Sequence, residues 1–178
     1  TILDQGDGTY VCSYTINKAG PFTIVVSSPN SQATLSATCV AGPADPAYCR
    51  IDASDVKQIE AGTRGIVKVL RADRFDNLIP AGAELMPFRV EVTGVGPADV
   101  ETVEAGDGSA EVRFEARAVG RYTLYVWSGF KREPVLGSPC EIQVLPSQPA
   151  ASSCKAQLQG AEFKAQGVYS AQAGTTVT

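Results

Sequence analysis

The chain is predicted to be all-β, a tandem array of seven-stranded antiparallel β-sandwiches, and three observations carry that expectation. The sequence repeats itself at a period of about 100 residues, the size of one small sandwich. Apolar and polar residues alternate along several stretches, which marks half-buried strands, and almost no helical period is visible. The 17 Gly and 11 Pro in 178 residues supply the turns that many short strands need.

The period is read from anchors. Gly6-Asp7-Gly8 returns as Gly106-Asp107-Gly108, Gly20 as Gly120, Phe22 as Tyr122 and Thr23 as Thr123, each 100 positions on. Between them Tyr10, Cys12, Tyr14 and Ile16 line up with Ala110, Val112, Phe114 and Ala116. Glu111, Arg113, Glu115 and Arg117 fill the alternate positions of the second copy, so one face of that strand is apolar and the other charged. Cys39 matches Cys140 at an offset of 101, and Cys49-Arg50 matches Cys154-Lys155 at 105, a drift that a hairpin and a linker absorb.

Cut at this period, residues 1–45 are the C-terminal half of one repeat, 47–147 a complete repeat and 153–178 the N-terminal part of a further one. The joints Gly42-Pro43-Ala44-Asp45-Pro46 and Pro146-Ser147-Gln148-Pro149 are short and Pro-rich, hence stiff. Within the complete repeat, strands are expected at 51–60, 65–72, 87–93, 98–104, 109–117, 121–128 and 138–145. Gly106-Asp107-Gly108 makes a tight hairpin, because glycine tolerates the positive φ such turns demand.

Three ordered motifs carry a family resemblance. Gly6-Asp7-Gly8-Thr9-Tyr10-Val11-Cys12-Ser13-Tyr14, Ala19-Gly20-Pro21-Phe22-Thr23-Ile24 and Gly137-Ser138-Pro139-Cys140 together resemble the immunoglobulin-like repeat of filamins. Asp73-Arg74-Phe75-Asp76-Asn77 is similar to that family's D-x-F-G-N stretch, with Asp76 in place of the glycine. In the first copy Leu35-Ser36-Ala37-Thr38-Cys39 stands where the third motif is expected. The resemblance implies a structural, partner-binding role. It also implies docking by addition of a peptide strand beside the third strand of a repeat.

Composition excludes several other roles. A net charge of −4 with no cluster of Lys and Arg argues against a nucleic-acid or anionic-membrane surface. No run approaches 18 apolar residues and the first residues lack the pattern of a secretory leader, so no membrane insertion is expected and no leader is visible in this stretch of sequence. Without a single His, the Ser-His-Asp and Cys-His nucleophile arrangements and most zinc sites are ruled out. Asp4-Gln5-Gly6-Asp7-Gly8 starts like a calcium loop, but position 12 counted from Asp4 is Thr15 where a bidentate Glu is required. No catalytic, cofactor-binding or metal-ligating residue is therefore assigned, no small-molecule substrate is expected, and the chain is read as not an enzyme.

Five cysteines, Cys12, Cys39, Cys49, Cys140 and Cys154, form an odd and sparse set. Cys39 with Cys49, and Cys140 with Cys154, are separated by extended chain that spans about 30 Å, far beyond disulfide reach, so buried free thiols are expected. No N-x-Ser/Thr sequon occurs. These features favour a cytoplasmic setting, in a cytoskeletal or ciliary (axonemal dynein-like) assembly, over an extracellular adhesion array on a gamete or cell surface.

Protein partners and neighbouring repeats are the expected ligands. The outward residues of the third strand, Arg89, Glu91 and Thr93, are polar, so an apolar peptide groove is not expected there. On the sixth strand Tyr122, Leu124 and Val126 turn to the core, leaving Tyr125 and Trp127 on the outer face; the alternative to partner binding is that a neighbouring repeat or the stems of Lys131 and Arg132 cover them. Exposed aromatics of that size mark protein interfaces, so Tyr125, Trp127, Arg89 and Glu91 are the candidate partner-binding residues.

Overall fold

A computed structural model describes residues 1–52, 57–129, 133–149, 162–164 and 168–170, and all statements below concern these. No helix occurs among them, and the chain divides into two units, Thr1–Pro146 and Ser147–Thr178.

The first unit holds thirteen strands. In chain order they are β1 (Ile2–Asp4), β2 (Tyr10–Cys12), β3 (Gly20–Ser28), β4 (Ser31–Cys39), β5 (Arg50–Asp52), β6 (Gln58–Glu60) and β7 (Arg64–Leu70), followed by β8 (Phe88–Gly94), β9 (Ala98–Glu104), β10 (Ala110–Ala116), β11 (Gly120–Ser128), β12 (Glu133–Pro134) and β13 (Cys140–Leu145). One sheet has the order β5-β7-β10-β9. In the other, β11 pairs with β8 on one side and with β12 and β13 on the other, and β6 lies beyond β13.

Alternation builds the core between the sheets. Val67 and Val69 of β7, Val112 and Phe114 of β10, Leu124 and Val126 of β11, and Ile142 and Val144 of β13 are all buried in one cluster. Each such side chain contributes about 1.5–3 kcal/mol on burial. Phe114 and Tyr122 meet across the sheets with ring centroids 5.8 Å apart, tilted by 58°.

The expected first strand, 51–60, is two strands in two sheets. β5 runs antiparallel to β7, whereas β6 runs parallel to β13 with Ile59 beside Val144. The switch supplies hydrogen-bond partners to the outer edges of both sheets, which a single straight strand would leave open. β12, not foreseen, completes the last strand: its two residues pair with Trp127 and Ser128 before Gly137, at φ 83, and Pro139 interrupt the ladder ahead of β13.

Strands β1 to β4 pair in the same way as the strands about 100 residues on. Ile2 stands opposite Cys12 as Thr102 stands opposite Val112, a register that repeats 100 residues on. In the β3–β4 hairpin Gly20 faces Cys39 and Ile24 faces Leu35; in the complete repeat Gly120 faces Val144 and Leu124 faces Cys140. By pairing, then, Cys39 takes the place of Val144 and Leu35 that of Cys140, which corrects the sequence match of Cys39 with Cys140. The direct turn from Ser28 to Ser31 is shorter than the return through β12, and the difference shifts the register.

In the second unit β14 (Glu162–Lys164) pairs antiparallel with β15 (Val168–Ser170), Phe163 opposite Tyr169. Most of the expected opening of a further repeat at 153–178, including Cys154, lies outside the described residues.

Candidate partner-binding surface

The four candidate residues lie together on the outer face of one sheet. Period-two alternation along β11 sends Tyr122, Leu124 and Val126 into the core and turns Tyr125 and Trp127 outward. β8 runs antiparallel beside it, with Glu91 opposite Tyr125 and Arg89 opposite Trp127. The aromatic rings stack with centroids 5.7 Å apart and planes 9° from parallel. Such a pair contributes about 0.5–1.5 kcal/mol beyond its area, and it leaves each ring half-buried while Arg89 and Glu91 stay exposed. On the far side of β11, Pro134 stands opposite Trp127 and Glu141 opposite Thr123. The alternative cover by Lys131 and Arg132 falls outside the described residues.

The edge of β8 differs from expectation. Arg89, Glu91 and Thr93 are exposed, but the inward residues of the same strand, Phe88, Val90 and Val92, are only half-buried. Across from them β9 turns Ala98 and Val100 inward, and Val100 keeps 37% of its surface exposed. Among the described residues neither β8 nor β9 has a strand on its second side. An apolar seam therefore runs between two free edges, walled by inward rather than outward side chains. The signal was present in the sequence, in the apolar alternation of an edge strand.

A third feature ties residues 1–45 to the sandwich formed by β5 to β13. Asp73 is 2% exposed and accepts hydrogen bonds from the backbone N–H groups of Phe75 and Asn77 (both 2.9 Å), from Asn77 Nδ2, and from the Gly42 N–H at 2.9 Å. Burial alone would raise its pKa, but the donors from Asn77, Gly42 and Phe75 outweigh burial and hold the carboxyl well below the usual range. Asn77 then reaches outward: Nδ2 donates to the carbonyl of Asn17 at 2.8 Å and Oδ1 accepts from the Ala19 N–H at 2.8 Å. Asp76, between them, has φ 60, in the left-handed region that glycine enters most easily, and its carboxylate pairs with Arg50. A cleft of about 630 Å³ opens beside this joint, with Ile16, Val40, Pro43 and Phe75 on its walls.

Cys12, Cys39, Cys49 and Cys140 are free thiols, and burial pushes the pKa of both Cys49 and Cys140 up. Among the described residues no three His, Cys, Asp or Glu side chains gather as a metal site would need.

The two-sheet order and the register define an immunoglobulin-like sandwich of the kind filamin domains have. No family model matches the chain. Among solved structures, the filamin domain of Lin-41 is similar over 60% of this chain and 100% of its own, with a TM-score of 0.51 and 15% identity. FdeC, an Escherichia coli adhesin, is similar over 83% of this chain at a TM-score of 0.50 and 20% identity. The chain spans 48% of that adhesin structure.

Proposed function

We propose that the chain is a non-catalytic spacer and protein–protein docking segment in an array of filamin-type repeats, its residues 1–45, 47–147 and 153–178 belonging to three successive repeats. The observation that carries the docking role is the stacked Tyr125–Trp127 pair set beside Arg89 and Glu91 on one sheet face. A large aromatic flanked by charges of both signs is the composition of an interface centre with a polar rim.

The setting we favour is an extracellular adhesion array. Its support is the likeness to the adhesin, which extends over 83% of the chain and so reaches beyond the complete repeat. A cytoskeletal or ciliary spacer is the second reading; the buried thiols of Cys49 and Cys140 speak for it, since unpaired buried cysteines suit a reducing compartment.

Beads coated with the chain and presented to cells test the docking role. Trp127→Ala is expected to cut retention about tenfold or more, the loss typical of an interface anchor, while the melting temperature falls only by the few degrees that losing the stack implies. Equal retention by the variant and the parent chain would remove this face from the proposal. Thiol titration of protein taken from its source and denatured without reductant separates the settings: five free thiols mean a reducing compartment, fewer mean an oxidising one.

A further inference from the structure

Strands β1 to β4 present an apolar face that nothing among the described residues covers. By the pairing registers, Cys12 stands where Val112 stands, Ile24 and Val26 where Leu124 and Val126 stand, and Leu35 where Cys140 stands. The second set is core, none of it more than 9% exposed. In the first set Cys12 is exposed, Ile24 is half-buried, Val26 keeps 42% of its surface in solvent and Leu35 58%.

Two glycines give an independent sign. A Cβ on Gly108, at φ 91, would sit 2.0 Å from the Ile79 carbonyl oxygen, and one on Gly120, at φ 147, would sit 2.8 Å from Val95 Cγ2. Their counterparts Gly8, at φ 88, and Gly20, at φ 139, have the same backbone shape and no atom within 4 Å of that position. The first copy thus keeps the form of two close contacts that no described residue makes. In the complete repeat both contacts come from the stretch 79–95, which contains β8.

We propose that β1 to β4 are the docking surface for one occupant: an opening half-repeat with the strand pattern that residues 50–100 carry here, joined ahead of Thr1 in the same polypeptide. This rests on reading residues 1–45 as the closing half of a repeat, and adds what covers them and in which register. β1 matches only the second half of β9, so the last strand of the occupant runs straight into it. A strand like β8 adds to the free edge of β3 with the counterpart of Val92 opposite Ile24. A strand like β7 adds to β2 with the counterpart of Val67 opposite Cys12. Charge agrees: Asp4 stands where Glu104 stands, and so offers a carboxylate to the counterpart of the buried Arg71.

The test compares the chain with a version carrying a copy of residues 47–100 directly ahead of Thr1, read by maleimide labelling of Cys12. In the extended chain labelling is expected to slow about 100-fold or more, as for a side chain reached only by local opening. An extension whose own copy carries Val90→Asp and Val92→Asp is expected to leave the rate where it was. Hydrogen exchange along β3 reads the same event without a thiol, and its amides gain protection only beside the unaltered extension. Cys12 labelled at one rate in all three chains, with β3 unprotected, overturns the proposal. Slow labelling of the unextended chain that quickens on dilution also overturns it, and gives the face to a second copy. None of these readouts passes through Tyr125 or Trp127, so failure here and failure of the docking role at that pair are told apart.

Discussion

Arg71 grips Glu104 with both ends of its guanidinium, Nη2 to Oε1 at 2.7 Å and Nη1 to Oε2 at 2.8 Å, while the arginine side chain itself is 0% exposed. The same guanidinium donates to the carbonyls of Met86 and Gly108 and lies 4.6 Å from the centre of the Phe88 ring. One side chain thereby joins the end of β7 to β9, to the β9–β10 hairpin and to the entry of β8. Removing the anion leaves a buried cation held by two carbonyls and the face of Phe88, with no opposite charge against it. Glu104 itself keeps 49% of its side chain in solvent, so Glu104→Ala is expected to cost about 1.5–3 kcal/mol, read from urea unfolding; a loss under about 1 kcal/mol would show the pair to be incidental.

Asn77 is one link across the joint, beside the bond from Gly42 to Asp73. Asn77→Ala strips the Ala19 N–H and the Asn17 carbonyl of their partners and is expected to cost about 1–3 kcal/mol locally. Hydrogen exchange should quicken at Ala19 and leave β7, β10 and β11 protected. Unchanged exchange at Ala19 would mean that the bond contributes nothing to holding the joint.

The pH response follows from Asp73. Its folded-state pKa lies below that of the unfolded chain, near 3.9, so its contribution is complete above about pH 4 and is lost as pH falls through the folded value. Thermal melts of the parent chain should be flat in this respect from about pH 7 to 5 and decline below pH 4. The decline should be steeper than in Asp73→Asn, which has no carboxylate to protonate, and parallel curves would contradict the assignment. Asp107 shifts the same way, through Lys68 and then Ser109, but at an exposed site where salt screens the pair.

Gly8 and Gly108 offer a matched comparison. Both have positive φ, so alanine costs about 1 kcal/mol at either from the backbone alone. At Gly108 the new methyl also meets the Ile79 carbonyl, so Gly108→Ala should cost at least about 3 kcal/mol and Gly8→Ala close to the backbone value. Equal losses, compared by chemical denaturation, would mean that the contact relaxes at little cost.

Much of this architecture is legible in the sequence, because alternation and turn glycines are local. The 100-residue period, the Gly-Asp-Gly hairpins and the inward set on β11 all follow from neighbouring residues, and so does the meeting of Tyr125 and Trp127 with the outward face of β8. Arg71 was readable too, since Val67, Val69 and Arg71 share one parity, and a charge at an inward place demands an opposite one on a nearby strand. The β5 to β6 switch was not, because Ile51 and Ile59 fit one continuous strand as well as two. Nor was the joint, where Asn77 bonds a backbone about 60 residues earlier in the chain.

The parallel pairing of β6 with β13 has a mechanical side. A pull transmitted along the chain enters this sandwich through β5, which its antiparallel pairing with β7 holds, and leaves after β13; past β5 it draws β6 and β13 by each other in opposite directions. Their cross-links, among them the Ala61 N–H to the Leu145 carbonyl and the Gln143 N–H to the Lys57 carbonyl, are then strained together instead of parting one at a time as in an unzipping hairpin. Under tension the fold resists as a lap joint does, loaded along its overlap.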